Sequence, residues 1–283
     1  MTRVELPGHD VVGLRADNPG PFTLTGTNTW IVGSDPAWLV DPGPDLHPHA
    51  AAVIAEVERR GGLGGIALTH DHSDHSGAVA AVRERFPHAP LAAARGDVDR
   101  LLRDGSEFGP LQVVSTPGHA PDHMAFIVGS AGLTGDAVLG QGSVFIAPDP
   151  GALTRYLDAL RELRRRDLTV LLPGHGPPVN DPAAKLDGYV AHRLERERRL
   201  LEGLDAGART VDEMLDAAWD DVPELLRPAA TVTLAAHLDK LQSEGRLPDG
   251  VERPGPEARS ASEPRSTSLP RRPTEPRGAP GPR

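Results

Sequence analysis

Apolar positions over the first 180 residues fall mostly into short unbroken runs, the mark of strands buried on both faces, and between those runs they recur at helical spacing. The segment FTLTGTNTWIVG from Phe22 to Gly33, rich in threonine, aromatic and branched residues and broken at Gly26, predicts two short strands or one bent hairpin. Trp38-Leu39-Val40 predicts a strand stopped by Pro42 and Gly43. Val53, Ile54 and Val57 predict a helix over 46–60, ended by Gly61 and Gly62. Ile66-Ala67-Leu68 is a strand leading into His70. After it Val79, Val82 and Phe86 predict a helix capped by Ser73 or Asp74. Further strands are expected at 91–93, 111–115, 125–129 and 132–135, with a surface helix over 95–103. Pro148-Asp149-Pro150 opens a helix to about Arg166 on Leu153, Leu157, Leu160 and Leu163, and 168–172 is a buried strand.

Beyond residue 180 the pattern turns helical. A long helix is expected from Asp181 to about Leu204, and Thr210 with Glu213 forms a capping box for a short helix through Trp219. Pro223 starts a second short helix, and a third spans Ala229 to Glu244, closed by Gly245; three in this space predict a winged-helix or helix-turn-helix module. From Val251 the chain is rich in Pro, Arg, Ser and Glu and is expected to be a disordered tail. The expected divisions are an α/β domain at 1–180, a connecting helix at 181–208, the helical module at 209–250 and the tail at 251–283.

The apolar runs ending at Leu68, Val114, Leu133 and Leu172 are each followed within five residues by a potential ligand: His70, His119, Asp136 and His175. Strands that end this way gather their ligands on one rim of a sheet assembly. The first run leads into His70-Asp71-His72-Ser73-Asp74-His75, where His70 and His72 share one face of an extended chain and the following turn carries Asp74 and His75. Imidazole with carboxylate suits zinc and its borderline neighbours manganese and iron, whereas calcium or magnesium prefers oxygen alone. There is no cysteine, so no thiolate ligand and no disulfide. Asp41, at the end of its strand, is either a turn carboxylate or an acceptor for the proton of a ligand histidine.

The net charge of −10 divides into +3 on residues 251–283 and −13 on the rest, and residues 209–250 alone carry −5. Groove binding needs cations, so DNA is an unfavoured partner and the module reads as an accessory that shapes the entrance to the metal domain. No apolar run is long enough to cross a bilayer, and the first twenty residues lack the apolar segment of a secretion signal; the expected compartment is the cytoplasm.

The motifs HxHxDH at 70–75, TPGH ending at His119, GD ending at Asp136 and PGHG around His175 resemble, in order, those of the metallo-β-lactamase superfamily. The resemblance implies an αββα sandwich with a small C-terminal winged-helix-like domain. It also implies two divalent ions, one held by His70, His72 and His119, the other by Asp74, His75 and His175, with Asp136 between them. Gly26-Thr27-Asn28-Thr29-Trp30, the extended TPGHAPDHM from Thr116 to Met124 and the HLDKLQSEGRL at 237–247 are most similar to the β-lactamase-like protein 2 group. Some of its members cleave single-stranded RNA; others are compared with thioesterases. Lactam-hydrolysing relatives often carry a cysteine in the second site and diiron flavoproteins a glutamate where His72 stands, so neither pattern matches.

A pair of divalent ions lowers the pKa of a shared water and polarises a carbonyl or phosphoryl oxygen, which makes hydrolysis the expected reaction. Asp74 is expected to orient the nucleophile and Asp136 to bridge the ions. His123 either protonates a leaving group, contacts substrate or is a plain loop residue. By the resemblance Asn28 faces the substrate or pairs with local backbone. The expected substrates are single-stranded RNA or a small ester or thioester. The competing reading is a DNA-binding regulator whose metal domain senses a ligand. His9, His47, His49, His88, His192 and His237 are expected to be surface or packing residues.

Overall fold

Strands that are apolar on both faces need cover on both sides, and the chain supplies it by stacking two sheets and flanking them with helices. The computed structural model describes residues 2–146 and 149–255. Strands β1 (Thr2–Leu6), β2 (Val11–Arg15), β3 (Asn28–Val32), β4 (Ala37–Val40), β5 (Leu63–Ala67), β6 (Leu91–Ala93) and β7 (Arg100–Leu101) lie in sequence order across one sheet, antiparallel to β4 and parallel after it. Strands β8 (Glu107–Phe108), β9 (Leu111–Ser115), β10 (Met124–Val128), β11 (Ala131–Gly135) and β12 (Val170–Pro173) form the second, ordered β12-β11-β10-β9-β8, with only β11 and β12 parallel.

Trp30, Val40, Ala67, Phe126, Leu133 and Leu172 meet between the sheets. On the outer face of the first sheet, α1 (His47–Arg59), the single turn α2 (Ser73–Ser76) and α3 (Val79–Arg85) follow one another, with Val53, Val57 and Val82 packed on Ile31, Leu39 and Ile66. On the outer face of the second, α4 (Ala152–Arg164) and α5 (Pro182–Asp205) bring Tyr156, Leu160 and Leu186 against Val114 and Leu171. The result is the four-layer αββα arrangement.

Several local expectations give way. The hairpin over Phe22 to Gly33 does not form; only β3 is a strand. Asn18 accounts for this, since its side chain accepts from Thr27 N–H at 2.9 Å and donates to Thr27 Oγ1 at 2.9 Å, holding the preceding residues in a loop. The β1–β2 hairpin was not expected from sequence, because only Val4 and Leu6 of β1 turn partly inward, too short an alternation to mark a strand. The helix after His75 is broken in two: a Cβ at Gly77 would lie 2.6 Å from Asp45 N, and α3 starts beyond that close approach. Neither Ser73 nor Asp74 caps α2; His72 holds the N-cap position without a side-chain bond. Residues 95–103 are not helical, because Asp99 accepts from Leu91 N–H at 2.9 Å, Arg95 is drawn to Asp71 and Asp122, and β7 pairs with β6. The helix expected from Pro148 begins at Ala152; Pro148 itself lies outside the described residues, as does the expected tail from residue 256.

The C-terminal module consists of α6 (Val211–Ala218), a 3-10 turn (Glu224–Leu226) and α7 (Arg227–Ser243). Its capping box is present, with Thr210 Oγ1 accepting from Glu213 N–H and the Glu213 carboxylate accepting from Thr210 N–H. Leu200 and Leu204 of α5 enter its core beside Met214, Trp219, Leu234 and Leu238. Helix α7 is buried on more than one side, since Ala236 packs with α4 and α5 while Leu234, Leu238 and Leu241 face the module. Ile146 N–H donates to Thr233 Oγ1 at 3.3 Å, a direct tie between α7 and the α/β domain. Among the described residues no helix is long and apolar enough to cross a membrane.

Candidate metal centre

The ends of β5, β9, β11 and β12 open toward one another, and the loops that follow carry His70 to His75, His119, Asp136 and His175 into a shared space. His70, His72 and His119 each bring a ligand atom within 4.8 Å of the others, as do His70, His75 and Asp136, and as do Asp74, His75 and His175. Asp136 reaches both ends: its Oδ2 is 3.6 Å from His119 Nε2 and 3.2 Å from His175 Nε2, while Oδ1 is 3.5 Å from His75 Nε2. Gly174 permits this closeness, for a Cβ there would lie 2.4 Å from Asp136 Oδ1.

The outer hydrogen bonds fix which ring nitrogen of each histidine carries a proton. His75 Nδ1–H donates to Asp41 Oδ2 at 2.8 Å, so its Nε2 is a bare lone pair. Thr69 Oγ1–H donates to the same carboxylate at 2.7 Å, leaving its oxygen to accept from His70 Nδ1–H at 3.0 Å. His119 Nδ1 faces Phe145 O and His175 Nδ1 faces Gly26 O, both at 3.4 Å. With one proton per ring, the Nε2 atoms of His70, His75, His119 and His175 are left facing inward. His72 Nδ1 stands 2.9 Å from His70 Nε2 and 3.1 Å from His119 Nε2, and one N–H cannot serve both. His75 Nε2 and Asp136 Oδ1 are buried with no hydrogen-bond partner. Lone pairs and carboxylate oxygens crowded together without donors fit divalent cations.

Charge divides the cluster. Burial keeps His119 neutral, pushing it down to about 3, and holds His70 well below the usual histidine range. At His75 burial acts the same way but is outweighed by the Asp74, Asp136 and Asp41 carboxylates, which raise it well above that range. His175 is likewise raised, against burial, to about 9 by Asp136 and Asp74. Burial would raise Asp74 and Asp136; His75 and His175 instead hold both below the usual carboxylate range. One end is a set of neutral imidazoles, while the other demands positive charge.

His72, Asp74, His119, Asp136 and His175 line one end of a cavity of about 550 Å³. Asp74 keeps one oxygen on Thr27 Oγ1–H at 3.2 Å and is part-exposed to this space. His123, expected as acid or substrate contact, does neither here: it is fully buried, its Nε2 accepts from Asp136 N–H at 3.0 Å and its Nδ1–H donates to Thr116 Oγ1 at 2.8 Å. It holds the backbone of Asp136. Asn28, expected at the substrate face, donates to Pro173 O at 3.0 Å and Gly176 O at 2.8 Å, which positions the loop carrying His175. Asp41 accepts from Thr69 N–H as well as from His75, so it is an orienting carboxylate rather than a free turn residue.

Sequence reasoning missed Thr69, whose only signal was adjacency to His70, and the cavity's apolar walls, which come from residues far apart in the chain. His192, expected to be a surface or packing residue, lines the cavity, held neutral by burial and by Arg193 and Arg196 at about 4.

Residues 22–98 match the Metallo-beta-lactamase superfamily and residues 210–249 the Beta-lactamase associated winged helix domain. An Atrochrysone carboxyl ACP thioesterase of Aspergillus chevalieri is 35% identical over 235 residues, 76% of this chain and 74% of that protein. A Beta-lactamase-like protein 2 homolog of Caenorhabditis elegans is 29% identical, over 86% of this chain and 87% of its own length. The structure of a Beta-lactamase domain protein from Burkholderia ambifaria shares the fold with a TM-score of 0.73 at 20% identity, over 88% of this chain and 91% of that one. The chain therefore belongs to the metallo-β-lactamase superfamily of hydrolases, whose members usually bind two metal ions, and carries the associated winged-helix domain at its C-terminal end.

Proposed function

We propose that this protein is a dimetal hydrolase of acyl thioesters. His70, His72 and His119 would hold one ion and Asp74, His75 and His175 the other, with Asp136 facing both. The imidazole-rich donor set suits zinc. When bound, the ions lower the pKa of water and polarise the acyl oxygen.

The chain's own residues supply the rest. Asp41 keeps the proton of His75 on Nδ1, and through Thr69 it keeps that of His70 on Nδ1, so both Nε2 atoms stay free to bind. Asp74, steadied by Thr27 and open to the cavity, accepts a hydrogen from the incoming water and aims its lone pair at the acyl carbon. Among the described residues, the histidines near the cavity that hold no ion offer no charged acid for the leaving group: His123 is committed to backbone and His192 is neutral. A thiolate, the conjugate base of a group with pKa about 8.5, departs without one, whereas an alkoxide from a phosphodiester needs a proton.

The observation that carries the reading is the cavity itself. It runs from the cluster along Phe22, Leu139, Val144 and Phe145 to Trp219 and Leu226, and its Arg196 is already paired with Asp221 at 2.6 Å. An apolar arm suits an acyl group and offers little to a phosphate backbone. The Aspergillus chevalieri relative, named as a thioesterase, supports the same class. The test is zinc-loaded protein against a panel of acyl thioesters and single-stranded RNA, each beside Asp136→Ala. Thioester cleavage that is lost in the variant supports the proposal; RNA cleavage lost in the variant, with thioesters untouched, overturns it.

A further inference from the structure

We infer that the C-terminal module forms the acyl-tail subsite, with Ala229 and Leu226 setting the length of apolar group the enzyme accepts; this rests on the thioester reading above. The cavity does not stop at the α/β domain. Its far wall is Trp219, Val222, Leu226, Ala229 and Ala230, all from the module. Leu226 and Ala229 are only half-buried and take no part in the module's apolar core, so their side chains face the open space and not the packing around Leu234 and Leu238.

The wall is held in place. Arg196 donates to Ala218 O at 2.5 Å and grips Asp221 with both terminal nitrogens, at 2.6 and 2.9 Å, which fixes the segment bearing Trp219 and Val222. Thr233 Oγ1–H donates to Ala229 O at 3.2 Å, and the same oxygen accepts from Ile146 N–H, so the first turn of α7 is tied to the opposite wall. On that wall the Phe145 ring lies 4.5 Å from the His119 ring and 6.1 Å from that of Phe22. An apolar surface therefore continues from the ligand cluster outward. Alanine at position 229 leaves the far end open, and a volume of about 550 Å³ is in the range of pockets that enclose a whole small ligand.

A tail that buries methylenes here gains about fourfold in kcat/KM for each one. The experiment takes full-length zinc-loaded protein, wild type, Ala229→Phe and Leu226→Ala, with N-acetylcysteamine thioesters from acetyl to dodecanoyl. In parallel, cis-parinaric acid binding is followed by fluorescence, a readout that needs no turnover. Wild-type kcat/KM should climb with chain length; in Ala229→Phe the octanoyl-to-acetyl ratio should fall at least about tenfold, and parinaric acid should bind at least about tenfold more weakly. Leu226→Ala should move the optimum to a longer chain. An unchanged ratio together with unchanged parinaric acid binding in Ala229→Phe overturns the inference while leaving thioester hydrolysis standing. Wild-type protein that cleaves no thioester overturns the thioester reading, and parinaric acid binding lost in Ala229→Phe would then still support an apolar-tail subsite in the module.

Discussion

The two ends of one cavity are built in opposite ways. At the ligand end the donors lie in the loops after strand termini of the α/β domain, and His70, His75, His119 and His175 are braced from behind by Thr69, Asp41 or a backbone carbonyl. At the far end the side chains come from the segment after α6, the 3-10 turn and the start of α7, are apolar, and depend on Arg196 and Thr233 for position. The first end fixes the reaction and tolerates no change of chemistry; the second fixes shape and tolerates exchange of one apolar residue for another.

The sharpest way to separate them is Asp136→Ala, which removes the carboxylate that reaches both groups. Metal content and activity should fall together, activity by about a thousandfold or more, as read by elemental analysis and turnover. Asp41→Asn should come next. Asparagine tolerates the positive φ of 53° at that position, so the fold should survive while metal affinity drops about 10- to 100-fold in a competition titration. His123→Gln should cost stability, about 1–3 kcal/mol by denaturant unfolding, and leave the shape of the pH–rate profile unchanged; loss of one limb would restore His123 as an acid. Thr210→Ala should destabilise the module by about 1 kcal/mol through loss of its cap, with metal content unaltered.

The same comparison argues against the DNA-regulator reading. A recognition helix must present one face to a groove, yet α7 is covered by α4 on one side and by the module's core on the other. Arg227 faces Asp216, and Lys240 and Arg246 share Glu197, so the module's cations are spent internally. No mobility shift is expected at low salt.

The same contrast governs what the sequence could reveal. His70, His119, Asp136 and His175 were legible because the end of an apolar run is a local signal and their loops point to one rim. The sandwich was legible through the resemblance that the ligand motifs carry, and the alternation of runs and helical stretches agrees with it. His123 and Asn28 misled because composition shows a polar residue but not that its hydrogen bonds go to the backbone of the ligand loops. The β1–β2 hairpin escaped because Val4 and Leu6 give only a two-residue alternation, and the region around Asp99 because side-chain-to-backbone bonds leave no apolar rhythm. Phe22, Phe145, Trp219 and Leu226 converge only through tertiary packing, and no window of sequence contains them together.

Diffraction from zinc-soaked crystals, recorded on both sides of the zinc absorption edge, tests the central claim most directly. Two anomalous peaks are predicted, one within bonding reach of His70, His72 and His119, the other of Asp74, His75 and His175, with an Asp136 oxygen toward each. Peaks elsewhere, or none, would contradict the account.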